Sequence, residues 1–117
     1  MASNRLFYCR VKVSRDPASA IPAKYHGAYV PAFAAAEDHQ KALGLIIPGL
    51  AEQGWVFEEL ENHRVDEMEA EHWDAFLEAT WPDLKRELPD KAAIDRLLET
   101  GGRFYGPFAV WGEETPA

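Results

Sequence analysis

Residues 61–74, ENHRVDEMEAEHWD, gather six carboxylates, two histidines and one arginine. Side chains of these types support three kinds of chemistry. They can hold a metal, they can move protons as a carboxylate pair, or they can present a negative surface to a cationic partner.

Metal binding has the weakest pattern. Glu69-x-x-His72 has the spacing found in di-iron helical bundles, but that centre draws two such pairs and two further glutamates from a four-helix core. Here there is one pair. Asp66-x-x-Glu69 also matches a capping box, in which the first residue accepts from the third helical amide and the glutamate reaches back. Cys9 is the sole cysteine, which rules out an internal disulfide and a cysteine-based zinc site. The expectation is no metal and no cofactor.

Catalysis fares little better. Acid–base work by two carboxylates needs environments that separate their pKa values. Glu67, Glu71, Asp74 and Glu78 instead fall within about 60° of one another on a helical wheel, as an exposed face would. Nucleophilic catalysis needs a nucleophile, a base and an orienting group, and Cys9 with four scattered histidines makes no such set. Gly101–Gly102 follows a helix rather than opening one, so it is no phosphate loop. The chain reads as a non-enzyme.

Charge is more informative. The chain has 12 Lys+Arg and 20 Asp+Glu, a net −8. Residues 58–78 hold nine of the acids (Glu58, Glu59, Glu61, Asp66, Glu67, Glu69, Glu71, Asp74, Glu78) and one base, Arg64, and so carry the whole excess. The first 27 residues lean the other way, with Arg5, Arg10, Lys12, Arg15 and Lys24 against Asp16. Such segregation favours charge-guided association and disfavours nonspecific grip on nucleic acid, which needs clustered cations. Tyr8, Arg10 and Lys12 on one side of a strand, with aromatics from 104–111 beside them, are the one argument for a single-strand platform.

The elements that must position these residues follow from periodicity. Residues 5–13 alternate, with Phe7, Cys9, Val11 and Val13 on one side and Leu6, Tyr8, Arg10 and Lys12 on the other, as in a half-buried strand. Residues 14–27 read as a long loop, which together with the tryptophan-rich second helix could enclose a small-molecule pocket. Residues 28–34 form a second strand, where Pro31 points to an edge or a bulge. A helix spans 37–54, with a kink expected at Pro48. In the third strand, 55–62, Trp55 and Phe57 share a face and Leu60 slips off it, which predicts a bulge near Glu58–Glu59. A second helix is expected over 66–81 and a third after Asp90, with 104–111 returning as a last strand and 113–117 as a flexible tail.

The order ββαβααβ predicts one α+β domain over 1–117. Its form is a four-stranded mixed sheet with three helices on one face, a ferredoxin-like variant with strands two and three parallel. No run reaches the ~20 apolar residues that cross a bilayer. The start, MASNRLFYCRVKV, lacks a signal-peptide layout, so a bacterial-type cytoplasmic protein is expected.

The functional expectation is a small acidic protein-binding module of the inhibitor or immunity type, covering a basic surface of a toxin or nuclease. Its partner-binding residues are Glu58, Glu59, Glu61, His63, Glu67, Glu71, Asp74 and Glu78. The alternatives are a phage- or plasmid-type nucleic-acid mimic, and a ligand-binding or enzymatic domain. No membrane and no direct nucleic-acid partner are expected. A homodimer through an exposed strand is compatible with prolines that mark edges without blocking them.

Overall fold

A computed structural model of the chain describes residues 4–112; the expected tail at 113–117 lies outside them. Two long strands, β1 (Arg5–Arg15) and β2 (Tyr25–Ala36), form a central antiparallel hairpin. Helix α1 (His39–Glu52) follows, then β3 (Trp55–Leu60), β4 (Asp66–Met68), α2 (Trp73–Thr80), α3 (Lys91–Thr100), β5 (Gly102–Tyr105) and β6 (Ala109–Gly112). Short 3₁₀ turns cover 61–63, 70–72 and 82–84.

The sheet has six strands, not four, and every ladder is antiparallel. Only the two central strands are long. One flank of β1 pairs with β3 along residues 11–15 and with β4 along residues 6–8. The outer flank of β2 pairs with β6 along residues 25–29 and with β5 along residues 32–35. Strands β2 and β3 do run in the same direction, but β1 lies between them, so they share no parallel ladder. This corrects the mixed, ferredoxin-like arrangement.

The helices lie on both faces, not one. Phe7, Cys9, Val11 and Val13 stand beside Ala34, Ala32, Val30 and Ala28 in the register, and pack with Ala42, Ile46 and Leu50 of α1. The alanines of β2 keep this face shallow, so that the helix sits close. On the opposite face Leu6 and Phe33 pack with Trp73, Leu77 and Ile94 from α2 and α3. A period of two has only two sides. The side holding Tyr8, Arg10 and Lys12 reads as solvent-facing in sequence, yet its first half is a second core.

Local signals explain several boundaries. Asp38 and Asp90 cap α1 and α3, each accepting a hydrogen bond from the backbone amide three residues on. Gly101 ends α3 at φ 78°, a conformation that glycine adopts without strain. The register between β1 and β3 shifts beside Lys12 and Val13, leaving Glu58 as the extra residue, and this returns Leu60 to the face of Trp55 and Phe57. The bulge is where the broken alternation places it.

The expected helix over 66–81 is shorter. Residues 66–68 pair with β1 as a strand, and the Asp66 carboxylate meets Arg64 rather than capping anything, so there is no capping box. Asp66 and Met68 alternate too briefly to betray a strand against a helical background.

Pro31 sits in central β2, not at an edge. Its carbonyl accepts from the Gly106 amide at 2.8 Å, so its missing N–H faces the same side, toward the break between β5 and β6. No ladder partner there needs a donor. The expected final strand over 104–111 is split at that break.

Phe33 is the hub of the second core. Its ring stacks on Phe104 at 4.6 Å and on Tyr8 at 5.0 Å, and meets Trp73 edge-on at 5.3 Å. Phe33→Ala is expected to lower the unfolding free energy by about 3–5 kcal/mol, read as a drop in the urea midpoint with little change in slope.

Candidate functional site

The eight residues expected to form one acidic face are distributed over five elements. Glu58 and Glu59 lie at the β3 bulge, Glu61 and His63 in the turn after it, Glu67 on β4, Glu71 in the turn before α2, and Asp74 and Glu78 on α2. Glu67 pairs with Phe7 on the α1 face of the sheet, whereas α2 packs on the other. The predicted four-carboxylate stripe therefore loses one member.

Cations brought in by the fold neutralise part of the set. Arg5 meets Glu67 at 2.8 Å, Arg10 meets Glu61 at 3.2 Å, and Lys85 pairs with Glu78. Ser14 donates to Glu58 at 2.7 Å. Two of these pairings come from the basic amino-terminal segment. Among the described residues, Glu58, Glu59, Glu69, Glu71 and Asp74 are exposed carboxylates without a cationic partner. Glu71 and Asp74 sit at the amino end of α2, where the helix dipole favours negative charge. That offsets their mutual repulsion without a partner. His63 has φ 52° and follows Asn62 at φ 58°. Two consecutive left-handed residues make the loop that joins β3 to β4, which continues in the same direction along the same flank of β1.

The sheet face under α2 and α3 is covered over only half its length. Beyond Tyr8 and Phe33 it continues as Arg10 beside Pro31, Lys12 beside Tyr29, and Ser14 beside Gly27. The Arg10 guanidinium lies over the Tyr29 ring at 4.9 Å, and the Lys12 ammonium over Trp111 at 5.8 Å. Tyr29 and Trp111 are in contact, with centroids 5.3 Å apart. Trp111 crosses Gly27, where any side chain would run into the indole. Cations over aromatic faces are mutually stabilising. Lys12 beside an aromatic of 104–111 is the juxtaposition the sequence points to. Tyr29 is missed, although its register with Lys12 follows from counting back around the β1–β2 loop.

Between this open half and the end of α2 lies a cleft of 460 Å³, lined by Tyr8, Arg10, Tyr29, Pro31, Trp81 and Phe108 among others. It sits at the level where both sheet flanks are interrupted. On the other side of Arg10 is a smaller notch of 240 Å³, where Glu61, Asn62, Arg64 and Asp66 bridge the break between β3 and β4. The cleft is not the pocket expected between loop 14–27 and the second helix: it uses the end of α2, but its other wall is the 107–109 segment. Among the described residues, no three of His, Cys, Asp and Glu converge as metal ligands would. No described helix is long and apolar enough to cross a membrane.

Burial pushes the Cys9 thiol up to about 12, with Asp66 adding to the shift. Burial likewise raises Tyr8, while Arg10 opposes the rise. No protein-family model matches the chain, and neither a curated protein nor a solved structure does.

The thiol gives a pH prediction. In the unfolded chain Cys9 ionises near its ordinary value of 9.0, but in the native state only near 12. The folded pKa is the higher, so this contribution to stability is complete below pH 9 and is lost as pH rises toward 12. Tyr8 and Tyr105, also raised by burial, act in the same sense. Urea midpoints are expected to fall across that range, and less steeply in Cys9→Ala. A disulfide reagent is expected to leave the native thiol unmodified and to react once urea unfolds the chain.

Proposed function

We propose that the chain is a small non-catalytic protein-binding module of the inhibitor or immunity type, which docks on a basic surface of a toxin or nuclease. The observation that carries this reading is the charge left after internal pairing. Glu58 and Glu59 at the β3 flank, and Glu69, Glu71 and Asp74 before and within α2, stay exposed with no cation against them among the described residues. Arg5, Arg10 and Lys85 pair instead with Glu67, Glu61 and Glu78.

A surface with that residue of charge attracts a cationic partner from a distance and orients it before contact. The flank is also rigid. The β3 bulge is fixed by the ladder to β1, and α2 is anchored by Trp73, whose indole donates to the Pro89 carbonyl at 2.7 Å. Exposed carboxylates on fixed backbone lose little freedom on docking.

The test is a charge reversal. Glu71→Lys with Asp74→Lys is expected to leave the melting temperature within a few degrees and to slow association with the captured partner about tenfold or more at low salt. Glu99→Lys, on exposed α3, serves as the control. Binding rates are read by surface plasmon resonance at two ionic strengths. An association rate that ignores both the α2 reversal and the salt overturns the proposal. Competition by duplex DNA for the same partner transfers it to the nucleic-acid mimic.

A further inference from the structure

We propose that the cleft between the open half of the sheet and the end of α2 is a binding site for a small planar aromatic carboxylate. This site is separate from the acidic flank and does not depend on the docking reading.

The first argument is shape and lining. At 460 Å³ the cleft falls within the ~300–1,000 Å³ of small-ligand pockets. Its lining is largely apolar, with the flat rings of Tyr8, Tyr29, Pro31 and Trp81 beside Leu84, while Phe108 lines it with its ring turned to Trp55 and Tyr105 in the first core. Aromatic walls favour a planar ring, which can stack or meet them edge-on. The walls are held from below. Trp81 packs edge-on against Phe76 at 5.5 Å, and Pro31 is fixed by the Gly106 amide.

The second argument is the polar group within that lining. Arg10 is the one charged residue of the cleft. Its guanidinium lies over Tyr29, and only Nη1 is engaged, by Glu61 at 3.2 and 3.3 Å. Those distances exceed the ~2.7–2.9 Å of a tight charge-assisted pair. Nε and Nη2 have no hydrogen-bond partner among the described residues, and neither does the Tyr8 hydroxyl. A guanidinium offers five N–H donors in a planar fork suited to a carboxylate. The Tyr8 hydroxyl, on the same strand and also lining the cleft, adds a further donor.

The charges facing Arg10 decide how strong the site is. Glu61 touches it directly, and Asp66 and Arg64 face it across the neighbouring notch, themselves paired at 2.7 Å. Glu61 therefore positions the guanidinium and also competes for it. A ligand carboxylate gains from Arg10 and is repelled by Glu61. This makes opposite predictions for the two residues, which a merely greasy cleft does not.

The test titrates 2-naphthoate and its neutral isostere 2-naphthamide into the full chain, followed by the indole N–H resonances of the four tryptophans. Naphthoate is expected to shift Trp81 saturably. Arg10→Gln is expected to weaken naphthoate about tenfold or more, and Glu61→Gln to strengthen it severalfold, with naphthamide indifferent to both. Arg10→Lys keeps the charge without the fork and is expected to fall between. Melting temperatures establish that each variant is folded. Equal affinity for acid and amide, an Arg10→Gln variant that binds naphthoate normally, or a Trp81 resonance that stays still up to millimolar ligand each overturns the proposal.

Discussion

The pairing of β1 with β2 runs through ten residue pairs, from Arg5 against Ala36 to Ser14 against Gly27. No other ladder in the described chain is more than half as long. Every other element is attached to this ribbon. Its period of two sends Phe7, Cys9, Val11 and Val13 to one side and Leu6, Tyr8, Arg10 and Lys12 to the other. Helix α1 covers the first set completely, and α2 with α3 cover the front of the second. The aromatic cleft and the cation-bearing open half are what remains of a ribbon longer than the helices available to cover it.

The row of Arg10 and Pro31 shows how one residue type propagates through such a structure. A proline in a central strand costs a ladder hydrogen bond unless the bond is not called for. Here β5 and β6 stop on either side of it, and Gly106 bonds the free carbonyl. On the far flank β3 and β4 stop at the same level, leaving Cys9 and Arg10 without strand partners on that side. The sheet is thus interrupted on both sides of one row, and it is there that solvent and side chains meet in the cleft and the notch.

Much of this is legible in the sequence, and the misreadings have physical causes. The slip of Leu60 from the Trp55–Phe57 face announces the Glu58 bulge, because burial demands that apolar residues return to one side. Asp38, Asp90 and Gly101 mark helix ends by chemistry that acts locally. Leu6 and Tyr8 look like outward neighbours of Arg10 and Lys12, since alternation does not tell a solvated side from one covered by distant helices. Glu67 fits a helical stripe as well as it fits β4, and only pairing with Phe7 decides. Arg5 and Arg10 find Glu67 and Glu61 across more than fifty residues of chain, a separation no local pattern encodes. Tyr29 becomes a neighbour of Arg10 and Trp111 only once the register is fixed.

The subdivision of both flanks has a consequence for how this chain behaves at high concentration. A long uninterrupted border of unpaired amides and carbonyls is a template on which further copies add end to end, toward fibrils. Here neither border is continuous. The longest piece is the six-residue β3, kinked at Glu58 with Glu59 beside it, and the others have three or four residues. Val56 and Val110, the large apolar side chains most open to solvent, sit on opposite borders and make no common sticky strip. Fragmented borders and a bulge bearing adjacent negative charges make cross-β growth unfavourable without any further segment to shield them.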